Sequence, residues 1–126
     1  MLRILYIDDT QSYLEFFGKG LMDAGFQVKT LPGANCDLVQ EVTNFSPDLI
    51  LLDIMMPEVD GFEALKILRD NPSTCTTPVF FFSNISNSAT IKKGLEMGAE
   101  KYLVKSKYSP AELAKVCLEY LKKVKN

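Results

Sequence analysis

The sequence predicts an α/β fold: a doubly wound, five-stranded parallel sheet in the flavodoxin-like order 2-1-3-4-5, with five helices. Three observations carry this expectation. Short apolar runs alternate with segments of helical spacing along the whole chain, and three of those runs are almost unbroken in apolar residues. Strands buried on both faces of a parallel sheet read in that unbroken way. At 126 residues the chain has room for one such set of strand–helix units and no second domain, so residues 1–126 are read as one unit. Right-handed crossovers then place helices on both faces, and 2-1-3-4-5 is a common order for a sheet built this way.

The predicted strands cover residues 4–7, 26–31, 49–52, 79–82 and 102–104, all rich in branched or aromatic side chains. The first helix is marked by Leu14, Phe17, Leu21 and Ala24, the second by Leu38, Val42 and Phe45, and the third by Phe62, Leu65 and Leu68. A fourth helix is expected over 88–97. A fifth is expected over 110–124, where Leu113, Val116, Tyr120 and Val124 form one stripe. Ser109-Pro110-Ala111-Glu112 places an N-cap serine, a first-turn proline and a capping-box glutamate in their preferred positions. Asp60 offers a similar acidic cap, and Gly25 and Gly98 stand where helices end on a left-handed residue.

Composition excludes several functions. Apolar residues make up 47% and charged residues 24%, the balance of an ordinary globular protein. A net charge of −2 gives no clustered basic excess for nucleic acid or an anionic membrane, so neither is expected as a partner. No run approaches membrane-spanning length and the N-terminus lacks a signal-peptide core, so a cytoplasmic location is expected. Cys36, Cys75 and Cys117 have no metal-ligand spacing and read as reduced thiols, two of them packing residues. With no histidine in the chain, any phosphohistidine must come from another molecule.

In an open parallel sheet, ligands bind beyond the carboxyl ends of the strands. Four of the five predicted strands run there into chemistry: the first into Asp8 and Asp9, the third into Asp53, the fourth into Ser83 and the fifth into Lys105. Taken alone, Asp8 or Asp9 could cap the helix beginning near Gln11, Ser83 could be a loop residue and Lys105 a solvated one. Asp53 is harder to read that way, because it directly follows the buried run Leu49-Ile50-Leu51-Leu52, where an unpaired charge is costly. Converging carboxylates repel unless a cation intervenes. With oxygen donors only, Mg²⁺ suits such a set best. A carboxylate so placed can attack phosphorus if the charge on the transferred oxygens is stabilised, a task for the metal, Lys105 and a hydrogen bond from Ser83.

Asp8-Asp9, the D-x-x-M-P-x-x-D-G segment from Asp53 to Gly61, Ser83 and Lys105, in this order, resemble the receiver domains of two-component response regulators over essentially the whole chain. The resemblance implies that Asp53 is the phosphoacceptor and that Asp9, Asp53 and the backbone carbonyl of Met55 bind Mg²⁺, with Asp8 acting mainly through water. It further implies that Ser83 is the switch hydroxyl and that Tyr102 is the aromatic whose rotamer follows phosphorylation.

Two departures stand out. Ser106 follows Lys105 where many receivers place proline, and a cis bond before a non-proline residue costs about 2.5–4 kcal/mol, so a trans bond is expected. Asn84 follows Ser83 where a smaller residue is common; with Met55 opposite, it is expected to restrict the approach of water. The implied partners are a sensor histidine kinase or phosphotransfer protein and a downstream protein target, the chain being a monomer or a phosphorylation-dependent dimer. It would be no enzyme beyond self-catalysed transfer to and from Asp53. Two other readings compete: a pseudo-receiver that binds a partner constitutively, and an aspartate-based phosphohydrolase. The second would need a D-x-D pair that Asp8-Asp9-Thr10 lacks.

Overall fold

The computed structural model describes residues 1–125. Five strands, β1 (Arg3–Ile7), β2 (Gln27–Leu31), β3 (Leu49–Leu52), β4 (Val79–Ser83) and β5 (Lys101–Val104), form one sheet in the order β2-β1-β3-β4-β5. All four pairings are parallel. Helices α1 (Gln11–Asp23), α2 (Leu38–Phe45), α3 (Gly61–Arg69), α4 (Ser88–Glu96) and α5 (Pro110–Lys125) connect or follow the strands. The expected fold class, strand order and helix count therefore hold, and the predicted boundaries lie within one residue of those observed for these strands.

The three central strands are buried along nearly their whole length, which explains their lack of alternation in sequence. Side chains nevertheless alternate between two cores. Ile4, Tyr6, Leu49, Leu51, Phe80, Phe82 and Leu103 face α1 and α5. Leu5, Ile7, Ile50, Leu52, Val79 and Phe81 face α2 and α3. Continuing this period of two past the strand ends carries Asp8, Asp53 and Lys105 to the same side as Tyr6, Leu51 and Leu103.

The caps follow the sequence signals. Ser109 and Glu112 exchange the reciprocal bonds of a capping box, at 3.1 and 2.9 Å. Asp60 accepts from the Glu63 N–H at 2.9 Å. Gly25 and Gly98 have φ of 99° and 103°, values that penalise any Cβ.

One alternative reading and one expectation need correction. Neither Asp8 nor Asp9 caps α1: its N-cap is Thr10, with no side-chain cap bond, and Asp8 Oδ1 instead accepts from the Thr10 N–H at 2.9 Å. Of the three cysteines only Cys117 is buried, because Cys36 lies on an exposed turn and Cys75 is partly exposed. Among the described residues no peptide bond is cis, so Lys105–Ser106 is trans as expected.

Candidate functional site

Strand register assembles the site. Ile7 is paired with Leu52, and the ladder runs one step further through the Asp53 N–H to the Ile7 carbonyl, at 3.0 Å. Asp8 and Asp53 thus emerge side by side from adjacent central strands. Ser83 pairs with Val104 at the end of β4, which delivers Lys105 next to it as β5 turns into a 3₁₀ turn (Lys105–Lys107).

Carboxylate oxygens of Asp8, Asp9 and Asp53 all lie within 4.8 Å of one another. Asp8 and Asp53 are buried, while Asp9 stands exposed at the mouth. The Lys105 ammonium faces both buried carboxylates, 2.5 Å from Asp8 Oδ2 and 3.3 Å from Asp53 Oδ2. Only 4% of Lys105 is exposed, so its reading as a solvated surface lysine is overturned. Desolvating an ammonium is tolerable here because two anions meet it.

The oxygens of Asp53 are differently engaged: Oδ1 accepts from the Ile54 N–H at 2.8 Å, and Oδ2 faces Lys105. Burial pushes the Asp53 carboxyl above the usual carboxylate range. Lys105 opposes that rise and the neighbouring Asp8 adds to it. Crowded carboxylates with a single ammonium leave negative charge to neutralise. Their oxygen-only donor set fits a hard divalent ion.

The loop after Asp53 is shaped by the start of α3. The Gly61 N–H donates to the Ile54 carbonyl at 2.8 Å, and a Cβ at Gly61 would run into the Asp53 carbonyl oxygen. The aspartate–glycine end of the motif thus has a steric reason: only glycine lets α3 approach the strand that carries Asp53. Met55 is exposed and leans over a cleft of about 290 Å³ that Asp9, Asp53, Ser83, Asn84 and Lys105 also line.

Ser83 is buried, its Oγ accepting from the Ile85 N–H at 3.2 Å. Tyr102 is partly buried, and its hydroxyl donates to the Ile85 carbonyl at 2.6 Å. One residue, Ile85, therefore ties the hydroxyl beside Asp53 to the aromatic on β5. The structure brings together every side chain singled out at the strand ends.

Two tyrosines at the site were not anticipated. Tyr6 donates its hydroxyl to Asp8 Oδ2 at 3.0 Å, and burial with the adjoining carboxylate holds that phenol protonated far above its usual range. Tyr13 on α1 lays its ring beside the Lys105 ammonium. For Tyr6 a signal existed, since it precedes Asp8 by two residues and so shares its face of the strand.

Comparison with known proteins agrees with this geometry. Residues 4–117 match the model of the response regulator receiver domain family. Protein RcaC of Microchaete diplosiphon is 33% identical over 98% of this chain, and the transcriptional regulatory protein GltR of Pseudomonas aeruginosa 34% over 87%. The chain spans 19% and 45% of those two proteins. Among solved structures, the chemotaxis protein CheY4 of Vibrio cholerae superposes with a TM-score of 0.84 at 27% identity, covering 94% of this chain and 98% of that one. The Francisella response regulator 1452 receiver domain gives 0.86 at 26% identity, with both chains fully covered. An acidic cluster at the ends of β1 and β3, an opposing buried lysine and a matching family model over most of the length together place this chain in the response regulator receiver domain family.

Proposed function

We propose that this chain is a phosphorylation-controlled signalling switch, formed by residues 1–126 as one receiver domain, in which Asp53 accepts a phosphoryl group from a partner's phosphohistidine. The single observation that carries the reading is the buried Asp53 carboxylate at the end of β3, held between the Ile54 N–H, the Lys105 ammonium and the other two acidic side chains. Asp53 attacks phosphorus, the P–N bond to the donor imidazole breaks as the new O–P bond forms, and the electron pair leaves with the imidazole. Lys105 meets the charge on the transferred oxygens, and Ser83 can turn its hydroxyl proton toward one of them.

Asp8, Asp9, Asp53 and the Met55 backbone carbonyl would hold Mg²⁺, Asp8 chiefly through water. When bound, the ion would neutralise charge on the carboxylates and on the phosphoryl oxygens.

The switch follows from Ile85. If Ser83 turns toward a phosphoryl group, it gives up the Ile85 N–H, and the peptide whose carbonyl holds Tyr102 is loosened. Tyr102 can then repack, and the surface of α4, β5 and α5 shifts its population toward a second shape. The donor would be a histidine kinase or phosphotransfer protein, the reader a downstream protein or effector domain. The chain would act in the cytoplasm, as a monomer or as a dimer formed on phosphorylation. Among the described residues, no helix is long and apolar enough to cross a membrane.

The test is to incubate the protein with acetyl phosphate and Mg²⁺ and weigh it intact. One added phosphoryl group is expected on the wild type and none on Asp53→Asn. An adduct that persists in Asp53→Asn would overturn the site assignment, and a wild type that takes up none would instead favour a constitutive pseudo-receiver.

A further inference from the structure

Lys105 is gripped on more than its anionic side. Its ammonium lies 4.4 Å from the centroid of the Tyr13 ring and 5.9 Å from that of Phe82, while Asp8 and Asp53 meet it elsewhere. The residue after it is Ser106, inside a 3₁₀ turn, so the aim of the side chain depends on what surrounds it. Tyr13 is itself fixed at two points. Its ring packs against Phe17 at 6.1 Å, and its hydroxyl accepts a hydrogen bond from Asn84 Nδ2 at 3.2 Å. That bond joins α1 to the loop after β4, directly beside Ser83, across the cleft above Asp53.

We propose that Tyr13 is a positioning residue of the phosphoryl-transfer site, seating the Lys105 ammonium on its ring face while Asn84 steadies the ring. The inference rests on the reading of Asp53 as phosphoacceptor. Lys105 bonds Asp8 and Asp53 in the resting protein but must turn toward the oxygens of an incoming phosphoryl group. A π-face attracts a cation without demanding that a particular N–H point at it. An ammonium seated there can redirect its three N–H donors from one anion to another without leaving the site. The face also excludes water from one side of the ammonium, which strengthens its pull on the phosphoryl oxygens.

The test compares Tyr13→Leu, Tyr13→Phe, Asn84→Ala and the Phe/Ala double variant with the wild type. Two quantities are read: the NMR shift of the Lys105 ε-methylene protons, and the maximal rate of phosphorylation at saturating acetyl phosphate and Mg²⁺. In the wild type those protons should be displaced upfield by the ring. Tyr13→Leu should abolish the displacement and slow the maximal rate by about tenfold, a loss on the scale of one cation–π contact. Tyr13→Phe should restore the displacement and most of the rate. Because Tyr13→Phe and Asn84→Ala remove the two ends of one bond, the double variant should be no slower than the slower single one. A folded Tyr13→Leu that phosphorylates at the wild-type rate, or a Lys105 signal indifferent to the ring, would overturn the inference alone. A wild type that takes up no phosphoryl group would overturn the underlying reading, and the inference with it.

Discussion

Burying an ammonium beside two carboxylates makes each group dependent on the others, and opposite substitutions should expose that dependence. Lys105→Met keeps the apolar stem but leaves Asp8 and Asp53 facing each other unopposed. We expect the metal-free protein to lose about 3 kcal/mol of stability, the usual scale for breaking a buried pair from one side. Asp53→Asn should act in the other direction. Burial, with Asp8 adding to it, holds the Asp53 carboxyl above its ordinary range despite Lys105. A carboxyl raised in the folded state binds its proton more tightly there than in the unfolded chain. Its ionisation therefore costs stability, a cost absent below the ordinary carboxylate range that grows as pH rises through that range toward the raised folded value. At neutral pH, removing the charge should stabilise the metal-free protein. Urea unfolding in the presence of a chelator measures both, and an Asp53→Asn midpoint below that of the wild type would refute the account from charge crowding. The carboxylates, Ser83 and Lys105 were legible in sequence because each follows a strand and strand ends converge. Tyr13 was not, because its reach to Lys105 depends on the rotation of α1 and on a long side chain, neither of which periodicity specifies.

Elements were legible where one chemical signal decided them: the capping box at Ser109 and Glu112, the acidic cap at Asp60 and the unbroken apolar runs of β1, β3 and β4 all appear as expected. What the sequence left open was how closely elements approach. Gly94 lies on α4, where an isolated glycine ordinarily weakens a helix by about 1 kcal/mol relative to alanine. Here it is the one buried residue of that helix, and a Cβ would stand 2.8 Å from the Phe81 ring and 3.3 Å from that of Tyr102. Phe81 is fully buried and cannot swing aside, so α4 would have to lift from the sheet. Overpacking of this kind costs about 1–3 kcal/mol, which offsets or exceeds the gain in helix propensity. Gly94→Ala should therefore fail to stabilise the protein in thermal unfolding, despite its favourable local effect. It should also change the fluorescence or NMR environment of Tyr102, since the same contact holds α4 against the aromatic that moves in the proposed switch. A Gly94→Ala protein that melts higher, with Tyr102 undisturbed, would mean that α4 rests loosely on the sheet.

At the scale of the whole molecule, the proposed ion site would link folding to ion binding. Its carboxylates come from the ends of two central strands and converge only when β1 and β3 are paired, so the unfolded chain offers no comparable site. An ion that binds the folded state alone stabilises it by RT ln(1 + [L]/Kd), about 2.7 kcal/mol at a hundredfold excess over Kd. For a chain of this length that corresponds to a rise of roughly 10 °C in Tm. The wild-type Tm should therefore climb with the logarithm of Mg²⁺ concentration once the site begins to fill. Asp9→Asn separates this linkage from ordinary structural effects. Asp9 is exposed at the mouth of the site while Asp8 and Asp53 carry the contacts to Lys105, so its neutralisation should leave the metal-free Tm within about a degree or two, as expected of a surface substitution. In Mg²⁺ the same variant should lose most of the metal-dependent rise, because one of the anions proposed to bind the ion is gone. Differential scanning calorimetry across an Mg²⁺ series, with chelator as the zero point, reads both quantities from one set of scans. A wild-type Tm indifferent to Mg²⁺ up to millimolar concentration, or an Asp9→Asn series parallel to that of the wild type, would mean that the acidic cluster is balanced by Lys105 alone and does not recruit the ion.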